Sequence, residues 1–211
     1  MPVLQPVTPA RELTSAHLRH ARVVQNRHAI LEDLPKHGVV AEVGVAFGDF
    51  SQSILRVLEP RLFYGIDLFD LDRHATAFGV DLQQKFQGRT HEQFIRERFR
   101  AEIEAGTVLL AKGDSARVME AFDDAALDVI YIDASHEYQH VKKDLAVCGR
   151  KITPTGALVL NDYTMANPSS GQQYGVVQAT HEFCLDEGWE ITHLALHPRM
   201  FCDVVLRKMV A

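Results

Sequence analysis

Five apolar runs fall in a fixed order along the chain, and each closes in small or acidic residues: VVAEVGVAFGDFS (39–51), LFYGIDLF (62–69), VLLAKGDS (108–115), LDVIYIDASHEY (127–138) and GALVLNDY (156–163). Short, β-branched runs of this kind read as central strands of a parallel sheet, buried on both faces. Small and acidic residues at the carboxyl ends of such strands are what a ligand crevice needs. A lone glycine loop would say little. A glycine loop followed by acids at four successive strand ends describes most of a binding site.

Strand and helix patterns alternate from residue 39 to residue 187. That alternation predicts an α/β fold with helices on both faces of the sheet. The expected strands are 39–43, 62–67, 108–112, 128–132, 157–161, 189–196 and 202–207. Helices are expected over 14–34, 51–58, 115–122, 138–150 and 176–187, with a mainly helical connection over 70–106. Pro154 and Gly156 are expected to turn the chain into the fifth strand, and Gly188 to cap the helix before the sixth. The last two strands are joined only by HPRM and its flanks, so they must run antiparallel. The expectation is a seven-stranded, mostly parallel sheet in a three-layer sandwich, ending in an antiparallel hairpin whose last strand inserts beside parallel neighbours.

With 211 residues the chain can bury one full core and has little room for a second. Residues 1–13 read as a tail and 14–211 as one domain. The net charge of −6, without a lysine/arginine block, argues against a nucleic-acid partner. The three cysteines, Cys148, Cys184 and Cys202, are odd in number and widely spaced, which reads as reduced core thiols and a cytoplasmic setting. The first residues lack the basic-then-apolar pattern of a signal peptide. No apolar run reaches the roughly 18 residues of a membrane span.

Glu42, Gly44 and Gly48 lie between the first strand and the next helix. Gly44 and Gly48 would let the backbone turn tightly and approach a ligand, and the spacing is not the G-x-G-x-x-G of dinucleotide binders. A tight turn with no ligand explains the same residues. Asp67 ends the second strand where an acid commonly accepts from a ribose diol; the bland alternative is a loop acid or helix cap. Asp114 could accept from an exocyclic amine, while Ser115 is a good N-cap for the following helix. Asp133 and Asp162 end adjacent strands, Asn161 beside them. Two such carboxylates repel unless protonated, separated or bridged by a cation, and hard oxygen donors suit Mg²⁺. A cationic ligand group at Asp133 and a loop-capping Asp162 are the alternative. His136 follows Asp133 by three residues and could ligate that cation or take a proton near neutral pH.

Taken together these residues resemble the class I S-adenosylmethionine-dependent methyltransferases, from residue 14 to 208. The E-x-G-x-x-x-G turn, Asp67, Gly113-Asp114-Ser115 and the terminal hairpin carry the likeness. DASHEYQHVKKDL (133–145) with LNDY (160–163) resembles more narrowly the macrocin-type small-molecule O-methyltransferases. The resemblance implies a Rossmann-like fold and S-adenosylmethionine as cofactor. The loop Glu42–Gly48 would hold its methionine moiety, Asp67 its ribose, and Asp114 and Ser115 its adenine, with Asp133 also at the cofactor. It implies a divalent cation, Mg²⁺ first, on Asp133, Asn161 and Asp162, and His136 as the base beside Asp133. Ala46 departs from the pattern where many relatives carry glycine, and Asn161-Asp162 reverses the catechol-type order. The partner implied is a small-molecule methyl acceptor, most simply a hydroxyl; a homodimer is compatible with the fold, and no nucleic acid or membrane is expected. Two rivals stand beside this reading: an NAD-dependent oxidoreductase, against which the glycine spacing and hairpin speak, and a non-catalytic binding domain of the same fold, against which the retained acids speak.

Overall fold

Val39–Val43 (β2) has every side chain buried, because helices cover both faces of the strand and strands flank both edges. A computed structural model describes residues 9–168 and 170–209. Leu62–Asp67 (β3) and Val108–Lys112 (β6) continue the sheet in parallel on one side of β2. Leu127–Ile132 (β7) and Ile152–Leu160 (β8) continue it in parallel on the other. Trp189–Ala195 (β9) and Asp203–Lys208 (β10) form the closing hairpin, and β10 inserts antiparallel between β8 and β9. Strand order thus reverses at β2. In open α/β sheets that reversal splays the connections apart and opens a crevice beyond the carboxyl ends.

The sheet has eight strands where seven were expected. Arg22–Val24 (β1) pairs in parallel with β9 at the edge, giving the order β1-β9-β10-β8-β7-β2-β3-β6. The helix expected over 14–34 is accordingly broken into a 3₁₀ turn at Ser15–Leu18, then β1, then a helix at Arg27–Glu32 (α1). Two adjacent valines favour extended backbone. Asn26 then restarts the helix, its side chain accepting from the amides of His28 and Ala29. Of the expected tail, residues 1–8 lie outside the described residues, whereas Arg11 pairs with Asp186 and Leu13 packs against the core.

Apolar side chains on one sheet face pack against Asp49–Leu58 (α2) and α1. Those on the other face pack against Tyr138–Lys151 (α7) and Val176–Glu187 (α8). Gly188 ends α8 in the left-handed conformation, as expected. All three cysteines are buried and unpaired. The fifth strand begins earlier than expected: Leu127 pairs with Ile152 but Val129 with Ala157, so Pro154 and Gly156 sit in an irregularity inside β8 rather than in a turn before it. A proline and a glycine weaken a ladder without ending it when the flanking pairs hold.

The connection over 70–106 is less helical than its periodicity suggests. It contains a hairpin of Thr76–Ala77 (β4) and Val80–Asp81 (β5) before three short helices, Leu82–Phe86 (α3), His91–Arg98 (α4) and Arg100–Glu104 (α5). Phe47, Leu82 and Phe86 form a small apolar cluster of their own beneath that hairpin.

Candidate active site

The turn after β2 is held from three sides. Gly44 has φ +91°, and its amide donates to the Ile66 carbonyl. Asp67 accepts from the amides of Val45 (2.8 Å), Ala46 (3.2 Å) and Phe69 (2.8 Å). His91, fully buried at the start of α4, accepts from the Leu71 amide at Nδ1 and donates from Nε2 to the Ala46 carbonyl. Ala46 sits at φ +46°, the left-handed region that glycine occupies more easily.

Beyond the turn opens a crevice of about 380 Å³ lined by Gly44, Ala46, Asp67, Leu68, Gly113, Asp114, Ser115 and Asp133. The sequence pattern thus brought Gly44, Asp67, Asp114, Ser115 and Asp133 to one place. Glu42 and Gly48 are not part of its lining. Glu42 is 2% exposed and accepts a hydrogen bond from Ser51 of α2; burial pushes its carboxyl up to about 8. Gly48 starts α2 with φ +77°, and a Cβ there would meet the Phe99 ring at 2.7 Å. Both shape the turn from behind.

Asp114, rather than Ser115, caps the next helix, Ser115–Glu120 (α6). Its carboxylate accepts from the Arg117 amide at 3.0 Å and from Lys143 at 3.2 Å, which together hold its pKa down. Ser115 instead donates to Asp144 of α7 at 2.6 Å. A serine and an aspartate in tandem can each cap, and the earlier one did.

At the β7 and β8 ends, His136 turns its Nε2 between two carboxylates, 3.8 Å from Asp133 Oδ1 and 3.4 Å from Asp162 Oδ2. That nitrogen is buried without a hydrogen-bond partner among the described residues. The ring stacks on Tyr174 at 4.5 Å between centroids. Burial lowers the His136 pKa, and the Asn161 side chain opposes that in part. Asp133 keeps 27% of its side chain open, yet the protein behind it pushes its carboxyl up to about 7; Arg27 opposes the rise, and Asp162 and Asp203 add to it. Burial, then Asp203, raises Asp162 to about 6.

Four polar residues of this cluster carry no sequence motif: Arg27, Tyr131, Asp203 and Tyr174. Arg27 of α1 lies 3.7 Å from Asp133 and over the Phe50 ring. Tyr131 donates to Asp203, which opens β10. Arg27 sits in the stretch read as one helix, and Asp203 beyond the last strand-end acid considered. An acid opening an apolar strand, as in CDVVL, is the one signal that could have marked Asp203.

The arrangement lends no support to a divalent cation on Asp133, Asn161 and Asp162. The Asn161 amide nitrogen faces Asp203 Oδ1 at 3.2 Å and the Tyr131 hydroxyl at 3.4 Å. A guanidinium already faces Asp133. Among the described residues no group of three or more His, Cys, Asp or Glu side chains is placed to hold a metal ion. Nor is any helix among them long and apolar enough to cross a membrane.

Residues 41–163 match the family described as methyltransferase domain. No protein of curated function matches the chain. Among solved structures it is similar to a precorrin-6y C5,15-methyltransferase from Geobacter metallireducens (15% identity, TM-score 0.57, 86% of this chain and 87% of that one). It is similar also to an O-methyltransferase family protein from Burkholderia thailandensis (13%, 0.59, 87% and 55%). A third likeness is to fibrillarin from Aeropyrum pernix, solved with natively bound S-adenosyl-L-methionine (13%, 0.54, 85% and 72%). At these identities the likenesses establish the α/β Rossmann-like fold.

Proposed function

This chain belongs to the methyltransferase domain family, as an S-adenosylmethionine-dependent methyltransferase of class I fold, and from that premise we propose that it methylates a hydroxyl of a small molecule. The observation that carries the acceptor reading is His136 Nε2, buried and unpartnered between Asp162 and the crevice-lining Asp133. In the tautomer with hydrogen on Nδ1, Nε2 can only accept. A hydroxyl oriented there hands over its proton as its oxygen attacks the methyl carbon. The carbon–oxygen bond forms, the carbon–sulfur bond of the sulfonium breaks, and the neutral thioether leaves.

On this reading Gly44, Asp67, Asp114 and Ser115, which line the crevice, hold the cofactor. Asp133 lies where the two halves meet. Its carboxylate, once ionised, faces the sulfonium side and helps His136 bear the incoming proton. Burial keeps His136 neutral at physiological pH, which is the form a proton acceptor needs.

The test is release of S-adenosylhomocysteine with a panel of small phenols and sugar hydroxyls set against amine analogues of the same size. Turnover of hydroxyls but not amines is expected. Turnover confined to the amines would overturn the O-methylation reading while leaving the cofactor in place.

A further inference from the structure

The hairpin β4–β5 reaches the mouth of the crevice with Phe78 at its tip. Ala77 pairs with Val80, which leaves Phe78 and Gly79 as a two-residue turn. Both have positive φ, +52° and +76°. That is the geometry of a type I′ turn, which favours Asn-Gly or Asp-Gly. In the left-handed region a Cβ crowds the following carbonyl, and asparagine tolerates this better than a bulky residue. Phe78 is also 76% exposed, the most exposed large apolar side chain among the described residues.

An exposed apolar side chain is ordinary by itself. A strained one that lines a ligand crevice is not, since backbone strain persists where another contact depends on it. Phe78 lines the same crevice as Asp67, Leu68, Leu71 and Asp114. Its ring meets Phe47 of the glycine turn edge-on at 5.8 Å. Ala77 and Val80 pack on the small cluster of Phe47, Leu82 and Phe86, so the hairpin is anchored to the turn it overhangs. Leu68, itself 55% exposed, offers the crevice a second uncovered apolar side chain.

We propose that Phe78 is a cofactor-binding residue whose ring packs on the adenosine half of S-adenosylmethionine. The crevice residues around it follow Asp67, on the ribose side, and Gly113, on the adenine side. A flat base buried between Phe78 and Leu68 covers the two apolar surfaces that the free protein leaves to water. The turn keeps a poorly suited residue because an asparagine there would supply no aromatic face. The proposal rests on the reading of this crevice as the S-adenosylmethionine site.

The test is Phe78→Asn, which suits the turn and removes only the ring. Its thermal midpoint should equal or exceed that of the unaltered protein. Its affinity for S-adenosylhomocysteine, by calorimetry, should fall by about ten- to a hundredfold, the range for losing one base–aromatic stack. Phe78→Trp should keep the affinity within a few-fold. Binding of 5′-methylthioadenosine, which lacks the amino-acid end, should weaken by the same factor as S-adenosylhomocysteine. Unchanged affinity in Phe78→Asn overturns the proposal. Loss confined to S-adenosylhomocysteine, with methylthioadenosine unaffected, also overturns it by moving the ring to the amino-acid end. An unaltered protein that binds neither ligand removes the cofactor reading itself, a failure distinct from the other two.

Discussion

Gly44 and Asp133 touch backbone to backbone: a Cβ built on Gly44 would lie 1.9 Å from the Asp133 carbonyl oxygen. The first turn of the crevice and the end of β7 are therefore one packed unit. The contact explains why the ligand site and the central strand pair are inseparable. We predict that Gly44→Ala lowers stability by about 3 kcal/mol or more, since it adds left-handed strain to an overlap that only strand separation relieves. The urea midpoint measures it. A loss below about 1 kcal/mol would mean that the two strand ends part more easily than their packing suggests.

Asp67 has a structural duty beside the ligand role read from its position. It accepts three backbone amides, from Val45, Ala46 and Phe69. Asp67→Ala should thus destabilise the ligand-free protein by about 2–4 kcal/mol, as well as weakening S-adenosylhomocysteine. Thermal unfolding without ligand separates the two effects. An unchanged midpoint with weakened binding would assign Asp67 to the ribose alone.

The sheet was legible in the sequence because its strands are buried on both faces, so that the apolar runs are continuous and their ends are marked by acids. The terminal hairpin was legible because its connection is too short for a crossover. Edge β1 was not: three residues at a sheet margin, with Arg22 and Val23 exposed, leave no periodic signal. The crevice lining followed from strand-end residues such as Asp67 and Asp114, which the topology must bring together. Arg27, Tyr131 and Asp203 escaped because tertiary packing alone places them there. The cation expected at Asp133 and Asp162 rested on their proximity, which the structure confirms. The guanidinium that answers that charge comes from a helix residue 106 positions away along the chain, counted from Arg27 to Asp133.

Glu42 gives the stability a pH slope. Its folded carboxyl is raised by burial to about 8 from an ordinary 4.5. Below pH 4.5 both states hold the proton and nothing is gained or lost. Between 4.5 and 8 the folded state keeps a proton that the unfolded state releases, so stability falls as pH rises. Asp133, Asp162 and Asp203, raised to about 7, 6 and 6, push the same way. Glu42→Gln should therefore stabilise by about 1–3 kcal/mol at pH 8 and by almost nothing at pH 4. A substitution that stabilises equally at both values would show that Glu42 is ionised in the folded state throughout.

His136 and Asp133 set the expected pH profile of turnover. His136 must be neutral to accept a proton, and burial moves its pKa down, so this requirement is already met within the ordinary histidine range. Asp133 ionises only near 7. Turnover should rise with pH and level off just above 7, the limb set by Asp133 because it deprotonates last. His136→Ala should lower turnover by about 10²–10⁴-fold and leave S-adenosylhomocysteine affinity nearly intact. The residual activity should keep its rise near pH 7, since Asp133 is unaltered. His136→Ala that weakens cofactor binding or the thermal midpoint instead would make the ring, stacked on Tyr174, a structural support for the loop. Excess chelator should leave turnover of the metal-free protein unchanged, because the Arg27 guanidinium already answers the Asp133 charge. Activity lost to the chelator and regained with Mg²⁺ would return Asp133 and Asp162 to a ligand role, with the orphaned Nε2 as their third donor, and would take the proton away from His136.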